Sequence, residues 1–328
     1  MTTAAELARL ELPELSFTVE RLLAEGLALL IGKPKGGKSW MLLQLGIAVA
    51  SGWPFLGHDT TQRHVLYLAM EDGKRRMKSR LLKVLGGRPA PERLTIATIE
   101  DKWPRSDRGG HERIQEWLAQ HPGGMVMIDT LGRYRSLTAG RGNAYMLDLA
   151  ALEPLQGLAI SQHISIIAAH HDNKNLGVED WVYSISGTQA IAGTADTLWG
   201  LARSASSDLA MLRTHGRDTD EANLILRLKQ GGQYNRDGRS VTLPFGWSCI
   251  GTSTSGSQLT PDRESVIRAL DEKGTMSITE LAVATSDEYD TIRKHLARMA
   301  EAGLVRRVGG GYSLISVSEM SGRSSESY

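Results

Sequence analysis

The feature of this chain that most constrains its fold is a glycine-rich loop between an apolar strand and an apolar helix. Residues 32–39 read Gly-Lys-Pro-Lys-Gly-Gly-Lys-Ser and satisfy the spacing G-x-x-x-x-G-K-[ST]. Leu27–Ile31 before the loop predicts a buried strand, and Trp40–Ala50 after it predicts a helix. Glycines let backbone N–H groups close around a polyphosphate, and a helix N-terminus adds a positive dipole end. This order predicts a nucleoside triphosphate site, rather than a chance turn rich in Gly and Lys.

The loop supplies the candidate contacts to ATP and Mg²⁺. Lys38 is placed to reach the β- and γ-phosphates, and the Ser39 hydroxyl is placed to ligate Mg²⁺. Backbone N–H groups of the loop would contact the remaining phosphate oxygens. The full set of candidate nucleotide contacts is Gly32, Lys33, Pro34, Lys35, Gly36, Gly37, Lys38, Ser39 and Trp40.

Composition excludes several classes of protein. The chain has 328 residues, of which 23% are charged and 41% hydrophobic, and a formal net charge of +1. This charge creates no global field toward nucleic acid or membrane, so polyanion binding must come from local patches. Cys249 is the only cysteine, and no apolar run approaches the roughly 18–20 residues of a membrane span. The N-terminus lacks a secretion signal, so we expect a soluble, cytoplasmic protein with no membrane partner.

The order of apolar segments predicts an α/β fold. After a leader at 1–26, with a helix expected at Thr18–Glu25, non-alternating strands alternate with helices, which is typical of a parallel sheet buried on both faces. Hairpin strands follow Thr197, and the core is expected to span 27–250. The strands are expected at His64–Ala69, Leu94–Ala97, Met125–Ile128, Ile164–Ala169, Leu198–Leu201, Ala210–Arg213, Asn223–Lys229 and Ser240–Pro244, and the helices at Lys74–Leu85, Glu112–Gln120 and Tyr145–Leu158.

A second, smaller unit is expected after a Gly/Ser linker at 251–259. Within 260–315, a helix at Asp262–Glu272 precedes two capping boxes, Ser277-x-x-Glu280 and Thr285-x-x-Glu288, each expected to open a helix. Two short strands then flank three glycines. This pattern resembles the winged helix-turn-helix family. The Ser/Glu-rich tail at 316–328 is expected to be disordered.

Carboxylates follow two of the expected strands. Asp129 ends an apolar strand and reads as a Walker B residue that supports Mg²⁺, although an acidic strand end alone is often only a turn. Glu71 and Asp72 follow the strand that ends at Met70. Ligands of open parallel sheets sit at the carboxyl ends of strands, so Glu71 is the candidate general base, with Asp72 as the second choice. Asp72 could instead serve only the N-terminus of the next helix.

Polar residues later in the chain are candidates for sensing the γ-phosphate. His170 ends a strand and could sense the phosphate, although a plain strand-end histidine and a metal ligand are alternatives for the His170-His171 pair. Arg203, Arg213 and Arg217 lie among the hairpin strands. In ring ATPases an arginine from one subunit stabilises charge on the neighbour's γ-phosphate, and Arg217 and then Arg203 are the candidates for that role.

Together these residues resemble the RecA-like P-loop ATPases, and most closely the plasmid RepA type of hexameric replicative helicase. The resemblance rests on residues 32–39, 67–72, 127–134, 169–174 and 186–199. It implies a homo-oligomeric ring, a hexamer for preference, with single-stranded DNA in a channel contacted by Lys174, and a replication initiator or primase as a partner. Ala195-Asp196 stand where the family tends to carry its arginine finger, which moves that assignment to Arg203 or Arg217.

The C-terminal unit carries a local basic strip on a segment that is not basic overall. Residues 260–315 contain 8 Lys and Arg against 9 Asp and Glu. The helix expected to read DNA begins with Asp287, Glu288 and Asp290, which would face phosphates. Duplex DNA binding and protein contact therefore both remain open. The candidate DNA contacts are Arg293, Lys294, Arg298, Arg306 and Arg307.

Two functions follow from these patterns. The first is an ATP-hydrolysing ring that unwinds or translocates DNA for a plasmid, phage or other mobile element. The second is a KaiC- or RecA-like ATPase switch that binds DNA or a partner protein without unwinding. A nucleotide kinase is disfavoured because no acceptor-binding region stands out.

Overall fold

The computed structural model describes residues 1–136, 144–171, 193–204, 206–236, 239–254 and 259–316, without the side chains of 144, 145 and 232–243. Four sequence predictions therefore lie wholly or partly outside the described residues: Lys174 with its loop, half of the segment 186–199, residues 255–258 of the expected linker, and the tail beyond Ser316. None of the described helices is long and apolar enough to cross a membrane.

A nine-stranded sheet forms the centre of the molecule. Its parallel half runs in the spatial order β8, β3, β7, β6, β4 and β5. These strands are β3 (Gly26–Gly32), β4 (Val65–Ala69), β5 (Leu94–Thr98), β6 (Met125–Asp129), β7 (Ser165–His171) and β8 (Thr197–Arg203). The buried, non-alternating strands confirm the predicted α/β class with a mostly parallel sheet.

Antiparallel strands extend this sheet beyond β8. They are β9 (Leu209–Gly216), β10 (Ala222–Lys229) and β13 (Gly246–Thr252), while β11 (Gly232–Arg236) and β12 (Arg239–Leu243) form a separate hairpin. Strand β13 pairs Thr252 with Leu224, so Gly251 and Thr252 belong to the sheet and not to the start of a linker. Backbone pairing overrides the flexible composition of these two residues.

Helices flank both faces of the parallel half. Two large apolar clusters are buried on opposite sides of the sheet, because successive side chains of a buried strand point to alternate faces. The flanking helices are α2 (Lys38–Ser51), α3 (Lys74–Leu85), α4 (Gly110–Gln120), α5 (Leu131–Tyr134) and α6 (Ala144–Gln162), whereas the short helix α1 (Ala4–Leu7) near the N-terminus is exposed.

The predicted helix at Thr18–Glu25 is wrong. The segment instead forms a small hairpin of β1 (Phe17–Val19) and β2 (Leu23–Ala24). Arg21 has φ of 62° in the connecting turn, a conformation that a right-handed helix does not contain. The hairpin buries Leu22 and Leu23, and the Trp199 indole donates to the Leu22 carbonyl oxygen at 3.0 Å. Tertiary burial therefore decides the conformation.

The C-terminal unit, residues 259–316, contains three helices followed by a β-hairpin. These elements are α7 (Pro261–Lys273), α8 (Ile278–Thr285), α9 (Tyr289–Glu301), β14 (Val305–Val308) and β15 (Gly311–Leu314). The predicted Ser277–Glu280 capping box is confirmed. The second predicted box is wrong, because Thr285 ends α8 and its hydroxyl donates to the Leu281 carbonyl at 3.0 Å, while Glu288 precedes α9.

Helix α7 holds the C-terminal unit against the antiparallel strands. Arg227 of β10 donates to Asp208, Asp271 and Glu272 at 2.8, 2.9 and 2.9 Å, and Arg268 donates to Asp208 at 2.9 Å. Beneath these ion pairs, Leu209 and Ile225 of the sheet share one apolar cluster with the three helices. The hydrophobic core of the unit is therefore continuous with these two strands of the sheet.

We expect Arg227→Gln to loosen this attachment. The Arg227 side chain is 20% exposed, and its loss removes one cation from three neighbouring carboxylates, Asp208, Asp271 and Glu272. The cost should be about 1–3 kcal/mol. Amide hydrogen exchange should rise in α7, whereas the control Arg293→Gln, which removes an exposed pair with Asp290, should leave α7 unchanged. Unaltered exchange in α7 of Arg227→Gln would show that the apolar contacts alone fix the unit.

Candidate active site

The phosphate loop connects the carboxyl end of β3 to the first turn of α2. Gly37 has φ of 106° and precedes the helix, and Lys35 also adopts a positive φ, of 61°. A Cβ on Gly37 would lie 2.5 Å from the indole of Trp247, so a side chain is excluded by sterics as well as by the backbone angle. The Trp247 indole N–H donates to the Gly37 carbonyl oxygen at 3.3 Å. Strand β13 thus supports the loop from behind.

Lys38 is buried, and its ammonium group has three partners. It donates to the carbonyl oxygens of Gly32 and Lys33 at 2.7 and 3.1 Å, and to Nδ1 of His171 at 3.0 Å. Burial lowers the pKa of Lys38 to about 8, against the opposing influence of Asp129 and Glu71. The charge is therefore retained at neutral pH, close to where phosphate would lie.

Asp129 and Ser39 form the pair that suits a metal ion. Asp129 ends β6, is buried, and accepts hydrogen bonds from the Ser39 hydroxyl and, at 2.8 Å, from the Tyr67 hydroxyl. Burial raises the pKa of Asp129, although these two hydrogen bonds oppose the shift. A hydroxyl and a carboxylate in contact at the edge of a phosphate loop are the oxygen donors that Mg²⁺ uses. The residues therefore fit this ion.

Glu71 and Asp72 have different surroundings. The Glu71 side chain is 44% exposed, accepts a hydrogen bond from the Thr130 hydroxyl at 3.0 Å, and lies 3.6 Å from Nε of Arg133. Asp72 is buried and ion-paired with Arg76, at 3.2 Å, and with Arg80. The geometry leaves Glu71 accessible to a water molecule, whereas the Asp72 carboxylate is held in ion pairs with two arginines of α3. The preference for Glu71 stays a prediction with this physical support.

The two histidines at the end of β7 are placed differently. His170 lies beside Ile31 in the ladder and is partly buried, whereas His171 lies beside Gly32 and contacts Lys38. Partial burial and the Lys38 charge lower the pKa of His171, so its neutral ring accepts a hydrogen bond from the Lys38 ammonium at Nδ1. The sensor role assigned to His170 stays a prediction, and His171 is the residue in contact with the phosphate loop.

A cavity of about 240 Å³ opens beside the phosphate loop. Its lining includes Lys35, Lys38, Ser39, His171, Arg80 and Arg203. Arg203 ends β8, stands 5.6 Å from the Trp247 ring centre, and donates from Nε to the Ser207 carbonyl at 2.8 Å. Arg203 therefore faces the phosphate loop of its own subunit.

Arg217 follows the end of β9 and lies beside the start of β8, at the end of the parallel strands opposite the phosphate loop. Its neighbour Gly216 pairs with Thr197, and Thr197 pairs with Ala28, four residues before the loop glycine Gly32. This separation corresponds to roughly 13 Å along the strand. Arg217 is 62% exposed, 3.5 Å from Asp196, and donates to the Gly193 carbonyl at 3.0 Å. Arg217 is therefore remote from the phosphate loop of its own chain.

Asp196 has a structural role, which accounts for Ala195-Asp196 at the positions where an arginine finger was expected from the resemblance. One carboxylate oxygen accepts from the Leu27 backbone N–H at 2.9 Å, and the other accepts from Gln156 at 3.2 Å. Asp196 therefore anchors the start of β3.

Subunit mixing should separate the two arginines. If the protein works as a ring, Arg203→Ala and Arg217→Ala should each lose ATP turnover, by about 10³-fold for a trans-acting arginine. Mixing Arg217→Ala with Lys38→Ala should restore turnover, since about a quarter of the interfaces in a random one-to-one ring regain an intact pair. Mixing Arg203→Ala with Lys38→Ala should restore none, because both residues serve the same subunit's cavity. Rescue in the second mixture alone would reverse the two assignments.

Several residues at this site escaped sequence reasoning. Trp247 and His171 are separated from their loop partners by 210 and 133 positions, and Thr130 is 59 positions from Glu71. Only the position of His171 at a strand end gave a local signal. The other contacts depend on the order of strands in the sheet.

The predicted DNA contacts of the C-terminal unit are exposed. Arg293, Lys294 and Arg298 project from α9, and Arg306 and Arg307 from β14. Arg293 is ion-paired with Asp290 at 3.2 Å. Their role in DNA binding stays a prediction.

Comparison with known families agrees with this geometry. A family model described as an AAA domain, AAA_25, matches residues 1–177, more than half of the chain. A second model, HVO_A0114, matches residues 258–317, which correspond to the C-terminal unit. No curated protein matches the chain. With its phosphate loop, strand-end carboxylates and parallel sheet, the chain belongs to the AAA_25 family of RecA-like P-loop ATPases.

Proposed function

We propose that this protein is an ATP-hydrolysing, ring-forming DNA helicase or translocase that serves the replication of a mobile element. The observation that carries the proposal is the convergence of Lys38, the Ser39–Asp129 pair and Glu71 at one edge of the sheet, beside a cavity. Binding of a polyphosphate alone would not require an accessible carboxylate there. Hydrolysis does, because a water molecule must lose a proton as it attacks phosphorus.

In this mechanism Lys38 stabilises the charge that grows on the phosphate oxygens during transfer. Glu71 accepts the proton of the attacking water, while the Thr130 hydroxyl orients the carboxylate. Ser39 and Asp129 would hold Mg²⁺, which neutralises phosphate charge when bound. His171, in contact with Lys38, connects the loop to the end of β7.

In a ring, an arginine of the neighbouring subunit supplies a further positive charge beside the γ-phosphate. Arg217 is exposed and far from its own phosphate loop, which suits a residue that acts on a neighbouring subunit. DNA contacts are proposed for the channel loop with Lys174 and for the basic strip of the C-terminal unit. A replication initiator or primase is the proposed partner.

A second candidate is an ATPase switch that signals through the C-terminal unit without unwinding DNA. One observation favours it: Arg203 of the nucleotide cavity bonds to the Ser207 carbonyl, and the Ser207 hydroxyl donates to Glu264 of α7 at 2.7 Å. This short chain of contacts could carry the nucleotide state to the C-terminal unit.

Strand displacement on a forked duplex separates the two candidates. A helicase should displace the strand with ATP and should assemble into a larger species when sized with ATP and DNA. A switch should hydrolyse ATP but leave the fork intact. In either case Arg293→Glu with Lys294→Glu should weaken duplex binding without changing DNA-independent ATP turnover, if the basic strip contacts DNA.

A further inference from the structure

Helix α3 carries an unusually dense positive charge. Six of its twelve residues are Lys or Arg, and none is acidic. The chain as a whole has a net charge of only +1, so this density is local. The apolar side chains Met77, Val84 and Leu85 are buried, which fixes the orientation of the helix and turns its basic side outward. Charge of one sign on a fixed, exposed face is a surface for a polyanion.

The cations of α3 fall into two groups. Lys74, Arg76 and Arg80 pair with Asp101 or Asp72. Arg75, Lys78 and Lys83 are exposed, and their side chains have no hydrogen bond or ion pair with any described residue. With 1.5 Å rise per residue, these three cations span roughly 12 Å of the helix surface. The spacing suits two or three consecutive phosphates.

The end of α3 borders an aromatic cleft, here called the outer cleft. It has a volume of about 160 Å³ and lies between α2, α3 and the start of β13. Trp53 and Phe245 provide flat apolar walls, and the cations Arg88 and Lys229 also line the opening. The outer cleft adjoins α3 directly, because the Phe245 backbone N–H donates to the Lys83 carbonyl at 2.9 Å.

The outer cleft contains an aromatic ring paired with a guanidinium group. Arg88 stands 4.4 Å from the centre of the Trp53 ring, whereas Arg80, which stands 5.1 Å from that of Trp40, belongs with Trp40 to the lining of the neighbouring nucleotide cavity. Trp40 and Phe245 pack together with ring centres 4.1 Å apart. Stacking rings beside a row of cations are what single-stranded nucleic acid requires, since its bases stack and its phosphates pair. A duplex hides its bases, and a run of acidic residues alone offers no aromatic ring for the cleft.

We propose that α3 and the outer cleft bind single-stranded nucleic acid. A base enters the outer cleft and stacks on the Trp53–Arg88 pair, and Arg75, Lys78 and Lys83 contact the phosphates that follow. Trp53, Arg75, Lys78 and Lys83 do not line the nucleotide cavity, and none of the four has a role in ATP hydrolysis. The inference extends the proposed function but stands on charge and ring geometry alone, so it holds for a helicase and for a switch.

The test is binding of a labelled 20-nucleotide oligothymidylate to the full chain, measured by anisotropy over a series of salt concentrations. The triple variant Arg75→Glu, Lys78→Glu, Lys83→Glu should bind at least about tenfold more weakly, and its log–log salt slope should be smaller by about 2. The control triple Arg9→Glu, Arg108→Glu, Lys273→Glu changes three exposed cations elsewhere by the same charge. It should bind within about threefold of the unaltered protein.

Stacking is tested separately with Trp53→Leu, which keeps an apolar side chain against the core. Binding should weaken by about fivefold or more, with the salt slope unchanged, because no charge is lost. The matched control is Trp103→Leu, since Trp103 also carries an arginine, Arg113, 4.5 Å from its ring. This control should bind normally. DNA-independent ATP turnover should be unchanged in all four variants, which separates failure of this site from failure of the ATPase.

Three results would overturn the proposal. Equal weakening by the two triple variants would mean that only net charge matters. Preference for a blunt duplex of the same length, with Trp53→Leu silent, would mean that no base enters the outer cleft. Competition by polyglutamate as effective as oligothymidylate at equal charge would assign the surface to an acidic protein.

Discussion

Lys38→Ala should abolish ATP turnover, with a loss of about 10²–10³-fold or more, while the protein remains folded. The Lys38 ammonium is the buried charge of the phosphate loop, and it would oppose negative charge that grows in the transition state. Alanine has only a methyl side chain, so the variant has no group at this position that can supply the positive charge. Turnover under saturating ATP and Mg²⁺ is the measurement.

Stability should change little in the same variant. Burial already lowers the pKa of Lys38 to about 8, which means that the folded protein holds this ammonium at a cost. Its removal should therefore alter the free energy of unfolding by about 1 kcal/mol or less. Lys33→Ala is the matched control, because the Lys33 side chain is exposed in the same loop. Near-normal turnover in folded Lys38→Ala would exclude the phosphate loop as the catalytic site.

Glu71→Gln should keep ATP binding and lose hydrolysis, by about 10²–10⁴-fold. The amide oxygen still accepts the Thr130 hydrogen bond, so the side chain keeps its position. It cannot accept a proton from water. Binding of a fluorescent ATP analogue and single-turnover hydrolysis, measured on the same preparation, give the two readouts.

Asp72→Asn provides the contrast. Asp72 is buried against Arg76 and Arg80, so loss of its charge should lower stability more than it lowers catalysis. Glu71→Gln should instead lower catalysis more than it lowers stability. If Asp72→Asn binds ATP but does not hydrolyse it, and Glu71→Gln is fully active, then the general base is Asp72.

Local pattern was sufficient for much of this fold. Helix α3 begins and ends at the predicted residues, Lys74 and Leu85, because Gly73 and Gly86 bound an uninterrupted helical pattern. The strand runs of the parallel half were readable because a strand buried on both faces has a nearly continuous apolar sequence. The predicted helix at Thr18–Glu25 failed since its apolar spacing is compatible with either structure, and only burial against Trp199 distinguishes them.

The sequence by itself determined the class of fold, the phosphate loop, and the strand ends that carry Asp129 and Glu71. These features depend on residues close together in the chain, where backbone geometry and apolar spacing act directly. Tertiary structure alone decided that Trp247 supports Gly37, that His171 contacts Lys38, and that Arg203 faces its own nucleotide cavity while Arg217 does not. The order of strands in the sheet decides such contacts. That order reflects packing of the whole domain, which no local pattern in the chain encodes.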